Sequence, residues 1–488
     1  MPELLRPAGV PPARRLATGT TLAYGFGTIA YGVKDFAFST FLLLFYNQVL
    51  GLPAAEVGFA IMCALILDAF VDPAIGFLSD RTRTRWGRRH PWMYASAFPI
   101  LMFWLLLWNP PEWSQGGMLF WVFAMSVLVR SAISAYEVPS QALSAELTAD
   151  YDDRTRIMAY RYLFGWAGGL GMLIVSYTIF LAPEPGQESG LLNRGGYVGL
   201  AIASGIAMVV AILVSARGTH HEIARLPRPA MRDRQTLADN FRELGETIRN
   251  RAFAVLMGAG LCYYTAQGVS FALSNYLYAY VWRFEAYAFQ LLAGVLFAGA
   301  MIAFFVAPRI ARRIGKPVAA MSFMIAAACL LASPYLLRLA GLFPAPGDPW
   351  MLPLLFGIFT INAACGISST ILGASMMADV VEHSEVHTGR RSEGVFFAGA
   401  FFVQKCTSGL GIFAAGLILT AAGFPEAADP GAVPEATIDR LTLIFALLYM
   451  GLGFGAALFY RRFPFGRTEH DARIERLAEA GANREPLL

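Results

Sequence analysis

The chain alternates long apolar blocks with short polar joints. Crossing the hydrocarbon core of a bilayer takes about 20 mostly apolar residues in a helix. Blocks of that size fall at 22–50, 54–79, 91–109, 117–145, 157–182 and 196–215. After a polar stretch from Arg217 to Arg251, a second set follows at 252–281, 286–308, 317–341, 351–379, 393–423 and 440–460. The pattern predicts an all-α membrane protein of twelve transmembrane helices, divided into bundles over 22–216 and 252–460. It leaves a leader over 1–21, a linker over 217–251 and a tail over 461–488, all placed in the cytoplasm below.

Composition fits lipid as the solvent. Hydrophobic residues make up 56% of the chain and charged ones 15%, against about 25% charged in soluble domains. The net charge of +4 is spread over short joints, which gives no footprint for nucleic acid. Cys63, Cys262, Cys329, Cys365 and Cys406 lie inside apolar blocks without paired spacing, so they read as helix-packing residues rather than disulfide or metal ligands. The Pro-rich leader holds Arg6, Arg14 and Arg15, and the block after it is long and contains Lys34 and Asp35. A cleavable signal peptide has a shorter, uncharged core.

Basic residues give the orientation. With the N-terminus in the cytoplasm, the inner loops and tail hold about 30 of the 38 Lys and Arg. The outer loops keep Arg194, Arg283, Arg338 and Arg440. Both termini are therefore expected in the cytoplasm of a cell bounded by a bacterial plasma (inner) membrane. The two halves also echo each other. Arg85-Trp-Gly-Arg-Arg-His-Pro91 after the second block answers Arg312-Arg-Ile-Gly-Lys-Pro317 after the eighth, and Glu146 at the end of the fourth answers Asp379 at the end of the tenth. Such parallel six-helix repeats are a transporter plan with the binding site near the midplane.

The informative residues are charges inside the apolar blocks. An ionised side chain near the bilayer centre costs at least about 2.5–3.5 kcal/mol and is rarely kept without a use. Lys34 and Asp35, Asp68 and Asp72, Arg130 and Glu137, Arg161 and Lys405 all sit there, four bases against four acids. Asp68 and Asp72 are four apart and share a helix face. Two such carboxylates out of water need a counter-charge, so the pair either binds a proton or a cation or serves a structural contact. Arg130, Ser134, Glu137 and Gln141 form one stripe. Ser134 and Glu137 are candidates for a cation's oxygen shell, while Glu137, Gln141 and Arg161 are candidates for the hydroxyls of a solute, and Arg130 reads as a buried salt-bridge partner. Asp80, Arg81 and Arg88, beside Gly76 as a close-approach position, read as a gate at the inner mouth. Tyr263, Tyr264, Gln267, Asn275 and Tyr278 are either cavity-lining or packing residues. His383 and His387 fall where a solvated loop is expected, so no metal site is read beyond that of a coupling cation.

Tyr24-Gly-Phe-Gly27, Lys34-Asp-Phe36, Asp68-Ala-Phe-Val-Asp72-Pro-Ala-Ile-Gly76 and Arg83-Thr-Arg-Trp-Gly-Arg88 resemble the glycoside–pentoside–hexuronide:cation symporters of the major facilitator superfamily. Met377-Ala-Asp379 and Val403-Gln-Lys405 extend the resemblance over nearly the whole chain. It implies the major facilitator fold, a cation held by Asp68 and Asp72, solute contacts at Lys34, Asp35 and Arg161, and a coupling role for Lys405. Two positions depart from the family's melibiose carrier. Glu137 replaces an aspartate, which moves the carboxylate by roughly 1.5 Å, and Gln141 replaces a tryptophan.

The sequence thus predicts a secondary transporter that couples sodium or proton entry to a small polar solute such as a glycoside. It is expected to need no other cofactor and to work as a monomer among membrane lipids. A lysolipid or other amphiphile carrier on the same scaffold is the alternative. An intramembrane hydrolase is disfavoured because its aspartates usually lie on separate helices.

Overall fold

The computed structural model describes residues 16–148, 151–183, 190–226, 250–388 and 393–464. The leader to residue 15, linker residues 227–249, the tail from residue 465 and the side chain of His387 lie outside the described residues. No strand forms among the described residues, and a single bridge closes the turn from Thr84 to Gly87. Among the described residues, eleven helices are long and apolar enough to cross a membrane, and a bent pair, taken as one span, makes a twelfth.

That pair is α1, Thr18–Thr40 and Leu42–Val49, bent by 46°. It is followed by α2 (Ala54–Arg81), α3 (His90–Trp108) and α4 (Gln115–Leu147). Next come α5 (Tyr151–Val175, continued by Ser176–Phe180) and α6 (Arg194–His220). The second set is α7 (Arg251–Val281), α8 (Ala286–Ile314), α9 (Lys316–Leu339), α10 (Met351–Thr388), α11 (Glu393–Ala422) and α12 (Glu435–Arg461). The end of the bundle that holds Leu16 is the near end below, and the opposite one is the far end.

Several helices outrun their apolar blocks at the near end. α8 continues through Arg309, Arg312 and Arg313 to Ile314, and α10 runs on to Thr388. Hydropathy registers only the hydrocarbon slab, whereas arginine and glutamate are good helix formers that carry the backbone into the headgroup layer. Phe98, Phe120, Ile179 and Phe304 are exposed large apolar side chains on the outside of the bundle, where lipid is the matching solvent.

The inner helices approach one another at glycines. A Cβ on Gly168 of α5 would stand 2.8 Å from Ile29 Cα of α1, and one on Gly32 of α1 would collide with the Gly165 carbonyl. Between α2 and α11, Gly58 faces the Ile412 carbonyl and Gly416 faces that of Ala54. Gly76 behaves differently. A Cβ there would meet only Val138 Cγ1 at 3.5 Å, ordinary contact, so close approach is not what that glycine provides.

Hydrogen bonds join the two six-helix sets at the far end. Asn275 Nδ2 donates to the Thr40 carbonyl (3.0 Å), and Tyr177 Oη donates to Asn275 Oδ1 (2.7 Å). Tyr276 Oη donates to Asn47 Oδ1 (2.8 Å). Gln48 donates to the Pro425 carbonyl (3.0 Å), and its Oε1 accepts from the Ala428 amide (3.1 Å) and from Tyr280 Oη (3.2 Å). α1, α5 and α7 each end here in a wide π-helical turn, at Phe45–Val49, Ser176–Phe180 and Leu277–Val281.

Gly32→Val is expected to lower the thermal unfolding midpoint of the purified protein by several degrees or to prevent monodisperse purification, because overpacking costs typically about 1–3 kcal/mol. Gly76→Ala is expected to behave as wild type in the same measurement.

Candidate functional site

Two charged clusters and the Lys34–Asp35 pair lie within the membrane spans, and the first cluster reaches from α2 and α4 across to α11. In the first cluster, Asp68 is buried on α2 and its Oδ2 carries two cations. Arg130 of α4 donates to it through Nε (2.9 Å) and approaches with a terminal nitrogen (2.8 Å), and Lys405 Nζ of α11 lies 2.8 Å away. Lys405 Nζ also donates to Asp72 Oδ2 at 2.5 Å. One ammonium therefore spans both aspartates and ties α2 to α11. The other two carboxylate oxygens meet Ser134 Oγ, at 3.2 Å for Asp68 Oδ1 and 2.6 Å for Asp72 Oδ1. A serine hydroxyl has a single proton to donate. Given to the nearer Asp72, it leaves Asp68 Oδ1 facing the Ser134 oxygen without a proton between them. Three hard oxygens converge there with one hydrogen among them, the donor type that small cations prefer.

The second cluster centres on Arg161 of α5. Its guanidinium donates to Glu137 Oε1 (2.5 Å), Tyr24 Oη (3.0 Å) and Ser140 Oγ (3.0 Å), while its carbonyl accepts from Thr28 Oγ1 (2.7 Å). Tyr24 Oη in turn donates to the Ser140 carbonyl at 2.5 Å. This fixes α1, α4 and α5 at one depth. Glu137 Oε2 is buried and has no hydrogen-bond partner among the described residues. An orphaned buried carboxylate oxygen is costly and calls for a donor from outside the chain.

On α1, Lys34 is buried with its Nζ 3.4 Å from Asp35 Oδ1, and Asp35 itself is 45% exposed. Gln141, one turn after Glu137 on α4, is exposed as well. A carboxylate left half open within a membrane span calls for water between the helices, in a chamber bordered by this face of α1.

The structure thus brings Asp68, Asp72, Ser134 and Lys405 together, with Arg130 as the salt-bridge partner of Asp68. It sets Glu137 apart from the two aspartates, because Arg161 holds that carboxylate. Asp80, Arg81 and Arg88 lie at the near end of α2 and the joint after it, with partners that the sequence left open. Asp80 pairs with Arg89 (2.5 Å), Arg88 pairs with Glu146 (2.8 Å), and Arg81 stacks on Phe77 at 3.8 Å. Arg89 also reaches Glu146 (3.0 Å) and Ser79 Oγ (2.8 Å). In the second set the matching contact is Lys316 to Asp379, both oxygens at 2.8 Å. Asn275 and Tyr278 serve packing: Asn275 is buried in the far-end bonds, and Tyr278 stacks on Phe284 at 5.2 Å. Tyr263 Oη meets Thr370 Oγ1 at 3.0 Å across α7 and α10. Sequence reasoning passed over Ser140 and gave no site role to Tyr24 or Arg89, although both stand inside the motifs, because their partners lie on other helices.

Comparison with known proteins agrees with this architecture. The fold is shared with the xylose transporter XylE from E. coli in an inward-open conformation, with a TM-score of 0.59 and 15% identity over 93% of this chain and 98% of that one. The chain belongs to the MFS/sugar transport protein family, which it matches over residues 23–467. It is similar to the isoprimeverose transporter of Lactiplantibacillus pentosus, at 27% identity over 88% of each chain. It is likewise similar to the inner membrane symporter YicJ of Escherichia coli K12, at 25% identity over 95% of each. The protein is a membrane transporter and not an enzyme.

The Glu137–Arg161 pair gives a direct test. Arg161→Gln strands a buried carboxylate and is expected to destabilise the protein by about 3–5 kcal/mol. Glu137→Gln in the same chain should return a large part of that loss. Thermal unfolding of the two single variants and the double variant measures the coupling.

Proposed function

We propose that this transporter is a cation-coupled symporter of glycosides, driven by sodium or protons and working by alternating access. The observation that carries the reading is the convergence of Asp68 Oδ1, Asp72 Oδ1 and Ser134 Oγ beside a lysine already bridging the same two aspartates. Without a bound ion, the Lys405 ammonium and the Arg130 guanidinium together neutralise the two aspartates. An entering sodium ion or proton takes the three-oxygen edge, weakens the hold of the aspartates on Lys405 and loosens the tie between α2 and α11. Coupling follows if the ion-loaded arrangement binds solute better than the empty one.

The solute site in this reading is the chamber wall of Lys34, Asp35, Glu137, Gln141 and Arg161. A sugar hydroxyl that donates to Glu137 Oε2 would satisfy the orphaned oxygen. The isoprimeverose carried by one relative supports a glycoside as the solute class. In this reading the near end and both termini face the cytoplasm, across a bacterial inner membrane, as the gathering of basic residues in the loops of that side supports. With the far end held by its hydrogen bonds, the exposed Asp35 opens towards the cytoplasm. The near-end pairs of Asp80, Arg88, Arg89 and Glu146, and of Lys316 with Asp379, would keep each half rigid while the halves rock. Arg81, stacked at the same mouth, completes the proposed gate.

The test is uptake into proteoliposomes of purified protein, across labelled glycosides, with imposed sodium or proton gradients. Wild type is expected to accumulate a glycoside only with an inward ion gradient. Asp68→Asn should abolish accumulation, and normal gradient-driven accumulation in that variant would sink the assignment. Ser134→Ala removes one oxygen ligand and should raise the ion concentration for half-activation roughly tenfold, about 1.4 kcal/mol.

A further inference from the structure

α1 places an aromatic ring in the chamber where the motifs gave no reason to look. Asp35 lies within a membrane span yet is 45% exposed, so its face of α1 borders water. Tyr31, four residues earlier, shares that face and is 38% exposed. Lys34 holds the ring in place: its ammonium sits 4.5 Å from the ring centroid, a cation–π contact made by a side chain that is itself buried. The ammonium covers one face of the ring, and part of the rest stays accessible. The charges of Asp35, Glu137, Arg130 and Asp68 all act on the phenol, so the ring shares the neighbourhood of both clusters. From α4 the chamber receives the polar Glu137 and Gln141 and no ring at either position.

A pyranose has a C–H face and a rim of hydroxyls. The C–H face packs on an aromatic ring, and the hydroxyls lie where neighbouring carboxylates and amides accept or donate. Tyr31 supplies the ring, and Asp35, Glu137 and Gln141 supply the rim partners. We propose that Tyr31 is the stacking platform of the solute site and a determinant of its preference for pyranosides. The proposal rests on the glycoside reading above and adds to it a residue outside the charged set.

The experiment is ion-driven uptake of a pyranoside into proteoliposomes by wild type, Y31L, Y31F and Y31W, with KM and maximal rate fitted separately. Y31L keeps bulk but loses the ring, and its KM is expected to rise roughly tenfold while its maximal rate falls far less. Y31F is expected to show a rise of about threefold, and Y31W to recover most of the affinity lost in Y31L. An unchanged KM in Y31L, or an equal loss in Y31L and Y31W, would overturn the platform and leave the glycoside reading intact. If wild type moves no pyranoside, the glycoside reading fails and the platform with it. If Y31L does not purify as a monodisperse protein, the Y31F and Y31W values decide, and KM increases of tenfold or more in both would overturn the proposal.

Discussion

A charge at the centre of a bilayer has no water to stabilise it, so it must be answered by another charge on the protein. That constraint organises the interior of this molecule. Asp68 is answered by Arg130 and Lys405, Asp72 by Lys405, Glu137 by Arg161 and Asp35 by Lys34. Three of these matches determine which helices meet at mid-depth. Asp68 with Arg130 joins α2 to α4, Asp72 with Lys405 joins α2 to α11, and Glu137 with Arg161 joins α4 to α5. Buried ion pairs are weak contributors to stability compared with apolar side chains of the same volume. Stability alone therefore does not account for four acids and four bases at this depth, whereas the ion and solute binding proposed above would.

Above and below that layer the chain uses different bonds. The far end is closed by neutral groups, among them the amides of Asn275, Asn47 and Gln48 and the phenols of Tyr177, Tyr276 and Tyr280. Each such bond is worth about 0.5–1.5 kcal/mol net. A handful of them lies within reach of ligand binding energies, which suits a closure that has to open in every cycle. The near end uses ion pairs that stay within one six-helix set, Arg88 and Arg89 with Glu146 in the first and Lys316 with Asp379 in the second. At the two ends, neutral bonds between the halves and charged bonds within them suit two stiff bodies that rock against each other, and the charged tie that crosses from one half to the other is the Lys405 bridge at mid-depth.

The twelve spans were legible because lipid imposes a length and an apolar content that few other structures need. The ends were less so, since the arginines that finish α8 are polar by hydropathy and helical by propensity. The bend of α1 at Phe41 had no signal at all, with no proline or glycine beside it. Its nearby Thr40 carbonyl is bonded instead by Asn275, 235 residues away, and such a partner exists only in the folded chain. Within the charged set, spacing identified the residues but not their partners. Arg88 and Arg89 are adjacent in sequence, and only the geometry at the start of α3 sends Arg89 to Asp80 and leaves Arg88 with Glu146. Glu137 sits three residues from Ser134 on the stripe, yet its carboxylate belongs to Arg161 of a different helix.

The lysine shared by Asp68 and Asp72 also bears on how tightly an ion can be held. A tethered ammonium competes at a high effective concentration, because its helix keeps it within a few ångströms of the carboxylates. A free monovalent ion displaces it only where several oxygens act together, and Asp68 Oδ1, Asp72 Oδ1 and Ser134 Oγ are placed on the side that Lys405 leaves open. The intrinsic affinity of those oxygens is thereby reduced by the cost of moving the lysine aside. A transporter must release its ion on the far side of the cycle as readily as it captures it, so a built-in competitor is useful. Because Lys405 sits on α11 and the aspartates on α2, the same competition acts on the contact between the two halves. In the proposed cycle, ion occupancy and the position of the halves are then two views of one equilibrium, and the solute would need only to favour the same side of it.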